Sequence, residues 1–316
     1  MKNMEGHTDF NPDKDIPPLE GKVIFITGGT AGIGAEAAKA FAAHDPLHIY
    51  ISGRNRKAGE AVISDIKSKH SSASMTFVEM DLSSMASVKA AVSKTFKHNR
   101  LDILLNNAGI MAQPASLSTD GYEIQFATNH LGHAMLTHVL LPVLLSTAVL
   151  PASDVRVVNT TSLGYAFHPG PGISFAELDA GSDMQRTLMG GWVRYGHSKL
   201  ANILFATEFA KRYPQITSLS AHPGVVNTDL VYSQSRANRW FIGSTTWLQG
   251  MKAMEPHQGC WNMVWCAAVA KKGELKNGSF YYPVGVEQWD MLYKMAKNGE
   301  LAERLWVWTE GVLAKF

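Results

Sequence analysis

The sequence predicts a single doubly wound α/β domain, a parallel sheet of six to seven strands with helices on both faces. Three observations lead there. Short β-branched runs alternate with longer segments whose apolar residues recur every three or four positions, the pattern of strands separated by covering helices. The short runs are apolar throughout and do not alternate with polar residues, as strands buried on both faces are. No internal repeat, Gly/Ser linker or long charge run divides the 316 residues, a length that one core of this class accommodates.

Residues 1–20, with Pro17-Pro18 near their end, carry no apolar run and read as a flexible arm ahead of a domain spanning 21–316. VIFIT at 23–27 is the first expected strand and opens into a helix beginning AEAAKAF. LHIYIS at 47–52 is the second, and Ala58, Val62 and Ile66 mark the helix after it. MTFVEM at 75–80 is the third, followed by a helix with Val88, Ala91, Val92 and Phe96. LDILLN at 101–106, VRVVNTT at 155–161 and ITSLSAH at 216–222 complete six strands, with Leu200, Ile203 and Leu204 on a helix before the last. A seventh is expected at 279–282, ahead of a final helix around LAERLWVWTEGVL. The stretches 163–192 and 231–258 look inserted, and loops of that length in a compact domain usually cover or line a site.

Composition excludes several classes. A formal net charge of +2 with no basic cluster leaves no electrostatic footprint for nucleic acid. Cys260 and Cys266 cannot build a disulfide framework and read as reduced thiols of a cytoplasmic protein. The apolar run at 135–150 is broken by Thr137 and His138 and is shorter than the roughly 20 residues of a spanning helix, so no membrane anchor is expected. His130, His133 and His138 sit near one another, but no Glu completes a zinc pattern there, and no metal is expected.

Directly after the first strand stands Thr27-Gly28-Gly29-Thr30-Ala31-Gly32-Ile33-Gly34, opening a helix. Glycines there let the backbone approach a pyrophosphate, whose charge meets the free N–H groups of the helix start. Strand, glycines and helix in that order make a dinucleotide turn of the Rossmann type. At the end of the second strand Arg54 stands where an acidic residue would bind a ribose 2′-hydroxyl. Arginine forks onto phosphate oxygens, so NADP(H) is expected over NAD(H).

These residues, with Asn106-Asn107-Ala108-Gly109, Asn129, Ser162, Tyr195-Gly196-His197-Ser198-Lys199 and Pro223-Gly224-Val225-Val226-Asn227-Thr228, resemble the short-chain dehydrogenase/reductase family over residues 20 to 230. The strings YGHSKLANILFATEFAKRY, AHPGVVNTDL, YYPVG and LAERLW are similar to its retinol-dehydrogenase-like branch, particularly soluble fungal members. The long stretch between Ser162 and Tyr195 fits that branch as well. The resemblance implies that Asp81 contacts adenine with Leu82 beside it, and that Asn107, Ala108, Gly109 and Thr160 line the cofactor. It further implies that Pro223, Gly224, Val226 and Thr228 hold its nicotinamide side, that Ser162 is the family's serine, and that Asn129 holds a water next to Lys199.

Hydride transfer to a carbonyl leaves negative charge on oxygen, so the site must supply a proton and hydrogen bonds there. Tyr195 is the candidate acid. Its ordinary pKa of about 10 is too high for work near neutrality, and Lys199, four residues on along a helix, supplies the cation that would lower it. Ser162 would orient the substrate oxygen. All eight tryptophans follow residue 191, and Trp192 and Trp240, in the inserted stretches, are candidates to touch a bulky apolar or aromatic substrate, as are Tyr165 and His168 for the pocket wall. The function these readings define is an NADPH-dependent oxidoreductase interconverting a ketone or aldehyde and its alcohol, as a monomer or homodimer pairing through residues 129–146 and the Tyr195 helix. The alternative is an NADP-sensing regulator on the same fold, for which Tyr195 and Lys199 have no use.

Overall fold

The computed structural model describes residues 8–180, 189–232, 234–248 and 253–316. Its frame is a sheet of eight strands, β1 (Val23–Thr27), β2 (His48–Gly53), β3 (Met75–Glu79), β4 (Ile103–Asn106), β5 (Arg156–Thr160), β6 (Thr217–Ala221), β7 (Phe280–Tyr282) and β8 (Val286–Glu287). Their spatial order is β3-β2-β1-β4-β5-β6-β7-β8. Strands β1 to β7 pair in parallel, and β8 alone turns back antiparallel on β7. The sheet thus has one strand more than the six to seven expected, because two residues are too few for a periodicity to register.

Labelled helices are α1 (Pro12–Asp15), α2 (Gly32–Ala42), α3 (Arg56–Lys69), α4 (Met85–Thr95), α5 (Gly132–Ala148), α6 (Gly190–Arg212), α7 (Arg236–Leu248) and α8 (Gly299–Leu313). The two sides of the sheet are separate cores. Along β1, Val23 and Phe25 join the side covered by α4, α5 and α6, while Ile24 and Ile26 join Ala37, Ala38 and Phe41 of α2 on the other. Complete burial of a side chain such as Phe41 contributes about 1.5–3 kcal/mol. Asn55 caps α3 by accepting from the Ala58 N–H at 3.1 Å, and Ser84 caps α4 by accepting from Ser87 at 3.3 Å, each meeting one orphan donor of a helix start.

The expected flexible arm is docked from Thr8 onward. Phe10, Ile16 and Leu19 are buried beneath it, Phe10 edge-on to Trp261 at 6.1 Å, and the Thr8 N–H donates to the Val284 carbonyl at 3.1 Å. Three apolar side chains spread among polar residues suffice to hold it, a spacing with no recognisable period.

At the other end of the chain, α8 lies along α6. Trp306 stacks on Phe205 at 5.2 Å, the Arg212 guanidinium sits over Trp306 at 5.1 Å, and His130 hydrogen-bonds Thr309 at 3.0 Å. The first part of the 163–192 stretch is folded against the same helix: Phe175 meets Trp308 at 5.7 Å and Arg304 at 4.8 Å. Among the described residues one helical stretch, Ile124–Ala148, has the length and apolarity to cross a membrane, and more than half of it is buried in this core.

Candidate active site

Strand order reverses between β1 and β4, whose neighbours run off to opposite sides, and a crevice opens beyond their carboxyl ends as in other open α/β sheets. Thr27, at the end of β1, ties that edge together. Its hydroxyl accepts the N–H groups of Asn107 at 2.9 Å and Ala108 at 3.0 Å, while the Asn107 side-chain amide donates to the Thr27 carbonyl at 3.0 Å. Gly28 turns with φ +67°, and a Cβ there would come within 3.0 Å of the Ala108 backbone. Gly34 packs α2 against the turn itself, where a Cβ would lie 2.3 Å from the Gly28 carbonyl oxygen.

The crevice holds two cavities. The outer one, about 510 Å³, is lined by Gly28, Thr30, Ala31, Gly32 and Ile33 from the glycine turn, by Arg54 from the end of β2, by Asp81 and Leu82 after β3, and by Asn107, Ala108 and Gly109 after β4. The inner one, about 220 Å³, is lined by Thr160, Ser162, Tyr195 and Lys199 and by Pro223, Gly224, Val226 and Thr228. Ile33, Asn107, Gly109, Ile110, Thr228 and Leu230 border both, so the two form one continuous cleft. Gly34 and Asn129 border neither. Gly34 packs behind the turn, against the Gly28 carbonyl and the Asn107 amide.

Of the basic run at 54–57, Arg54 is the residue on the cavity wall. Arg56 is turned away, donating to Glu79 at 2.9 Å and lying over Phe77 at 5.7 Å. Asp81 is the one carboxylate among the described residues of the outer wall, and its Oδ1 already accepts from the N–H and hydroxyl of Ser83 at 2.9 and 2.8 Å. A glycine-lined cradle at a helix start, with an exposed guanidinium at its far end, fits a nicotinamide dinucleotide.

Helix α6 puts Tyr195 and Lys199 on one face, as their spacing requires. Lys199 Nζ donates to the Thr160 carbonyl at 3.1 Å and lies 5.7 Å from the centre of the Tyr195 ring. Ser162, at the end of β5, accepts the Gly164 N–H at 3.1 Å. Burial pushes Tyr195 up to about 12, with the Ser162 hydroxyl pulling the other way. Burial also pushes Lys199 down to about 8. In the protein alone, desolvation of the phenolate is the larger effect on Tyr195.

Asn129 lies in a π-helical turn, Ala127–Leu131, leading into α5, and such turns often mark functional sites. Both its amide hydrogens are used, on the Ile110 carbonyl and the Ser198 hydroxyl at 2.9 Å each, and its Oδ1 accepts the Ile110 N–H at 2.8 Å. A Cβ on Gly109 would come to 3.1 Å from that Oδ1 and 3.4 Å from Lys199 Nζ. Asn129 thus fixes the segment after β4 to α6. His133 completes the bracing, bonded through Nδ1 to the Asn129 carbonyl at 3.0 Å and through Nε2 to the Thr27 hydroxyl at 2.8 Å.

Much of the remaining inner wall is apolar, with Met111, Leu163, Phe167, Trp192, Phe241 and Ile242 on it. Trp192 meets Phe241 at 5.2 Å and Tyr195 edge-on at 6.2 Å. Trp240 is 75% exposed and faces away, because it neighbours Phe241 on α7 and points about a third of a turn round the helix. Tyr165 is buried, its hydroxyl accepting the Tyr293 N–H at 3.1 Å, and His168 bonds Pro169, so neither borders the cavity. Sequence reasoning missed Met111, Phe241 and Ile242. Met111 follows the Asn-Asn-Ala-Gly string by two positions, a signal that was available.

Fold and cleft together define an oxidoreductase of the dinucleotide-binding α/β class. A family model described as short chain dehydrogenase matches residues 22–174. The short-chain dehydrogenase/reductase drtF of Aspergillus calidoustus is 36% identical over 95% of this chain and 96% of its own length. Retinol dehydrogenase 11 of Homo sapiens is 35% identical over 91% of this chain and 84% of its own. A solved structure from Mycobacterium paratuberculosis superposes with a TM-score of 0.71 at 27% identity, covering 96% of this chain and 97% of that one. The chain belongs to the short-chain dehydrogenase/reductase family, in its retinol-dehydrogenase-like branch.

Proposed function

We propose that this protein uses NADPH to reduce a bulky apolar or aromatic ketone or aldehyde, or oxidises the corresponding alcohol with NADP. The observation that carries the reading is the joining of the two cavities: the glycine-lined outer half ends where Tyr195, Ser162 and Lys199 meet an apolar wall. Arg54 and the absence of a carboxylate at its position favour the 2′-phosphate. The nicotinamide, when bound, supplies or accepts the hydride.

The chain's residues do the rest. In the reducing direction the Tyr195 hydroxyl gives its proton to the carbonyl oxygen as negative charge develops there, and the Ser162 hydroxyl donates a hydrogen bond to that oxygen. Lys199, protonated below about pH 8, lies close enough to favour the phenolate left behind. Asn129 and His133 hold the wall opposite α6 in place. Trp192, Phe167 and Phe241 exclude water and present a surface suited to an apolar body.

The test is NADPH consumption against a panel of bulky aromatic ketones, quinones and apolar aldehydes, with Tyr195→Phe as control. Removing the acid should lower turnover about 10²–10⁴-fold while leaving NADPH binding intact. Turnover equal in the variant would overturn the assignment.

A further inference from the structure

Most of the deeply buried histidines have settled hydrogen bonds. His130 is bonded to Thr309, His133 to Thr27 and Asn129, and His197 to the Ser174 N–H at 3.1 Å. His222 differs. It is 3% exposed, stands between β6 and Pro223, and borders the inner cavity beside Thr161 and Lys199, yet neither ring nitrogen makes a hydrogen bond of normal geometry. An imidazole buried with no well-formed hydrogen bond is costly, and one bordering a ligand cavity gains such bonds when the ligand arrives.

We infer that His222 hydrogen-bonds the carboxamide of the bound nicotinamide, an assignment that rests on the proposed function. The surroundings select this partner. Burial pushes His222 down to about 3, opposed by the Thr161 backbone and with a smaller downward effect of Lys199, so the ring is neutral and offers one donor and one acceptor. A primary carboxamide presents the matching acceptor and donors. A neutral ring also does not repel the positive charge of the oxidised nicotinamide, as an imidazolium would. The substrate oxygen, by contrast, already has Tyr195 and Ser162, and the Pro223 to Val226 wall that continues from His222 is the side expected to hold the nicotinamide.

The experiment is fluorescence titration of the full-length protein with NADPH and, separately, with 2′,5′-ADP, which carries the adenosine half without nicotinamide. His222→Leu should weaken NADPH about ten-fold, the loss of one or two neutral hydrogen bonds, and leave 2′,5′-ADP unchanged. His222→Gln, which keeps a donor and an acceptor, should restore NADPH binding to within about three-fold of the natural protein. Equal NADPH affinity in His222→Leu overturns the assignment, and so does an altered substrate KM with unaltered NADPH affinity, which would place the ring on the substrate. Loss of both ligands in His222→Leu and His222→Gln alike would make it a packing residue and overturn it too. Absence of NADPH binding in the natural protein would instead defeat the underlying function.

Discussion

Replacing Arg54 separates the two cofactors cleanly, because its side chain is exposed on the outer cavity wall and serves no ion pair described in the structure. A bidentate guanidinium–phosphate contact contributes about 1.5–3 kcal/mol. Exposure and salt screening bring the expectation to the lower end, so Arg54→Ala should raise the NADPH Kd about ten-fold, with NADH unchanged because it lacks the phosphate. Arg54→Asp adds repulsion between a carboxylate and the 2′-phosphate and should invert the preference. Both constants are read from quenching of tryptophan fluorescence, at low and at high salt, and the difference between natural protein and Arg54→Ala should shrink as salt rises. Equal NADPH and NADH affinities in the natural protein, or equal losses for both in Arg54→Ala, would refute the role of the guanidinium.

Other consequences follow from the same geometry. Carbonyl reduction should be fullest below about pH 8 and fall as Lys199 loses its proton, whose pKa is depressed to about 8 by burial; a pH–rate profile flat to pH 10 would mean that the ammonium does not assist Tyr195. Gly34→Ala puts a Cβ 2.3 Å from the Gly28 carbonyl oxygen and 2.7 Å from the Asn107 amide, which should lower stability by about 1–3 kcal/mol and weaken NADPH, seen together in a melting curve with and without cofactor. Helix α8 packs along α6, one of the two segments through which a homodimer is expected to pair, so light scattering should find a single species near 34.5 kDa, and a species of twice that mass would send the contact elsewhere.

The parts of the molecule legible in the sequence are those in which local chemistry and position coincide. A glycine turn between strand and helix can do little else, and Tyr195 and Lys199 share a face by helical spacing alone. Strands β1 to β6 were recognisable because burial on both sides writes itself as an unbroken apolar run. Tertiary effects were not legible in that way. The docking of the N-terminal arm depends on Phe10 finding Trp261, far along the chain. Trp192 and Trp240 looked alike as aromatic residues of inserted stretches, and only the rotation of α7 decides that Phe241 faces the cavity while Trp240 faces outward. The close packing of Gly34 on the turn's own carbonyl and Asn107 is likewise a matter of three-dimensional neighbours.

The contacts between the 163–180 stretch and the C-terminal helix have a consequence for how such proteins can be recombined. Tyr165 is held by Tyr293, and Phe175 by Arg304 and Trp308, so the segment that supplies Leu163 and Phe167 to the cavity is keyed to residues more than a hundred positions later. A chimera exchanging 163–180 alone would strand both aromatic rings against foreign partners. Exchanged together with 289–316, the two pieces move as a single module, and the cavity wall travels with its own foundation.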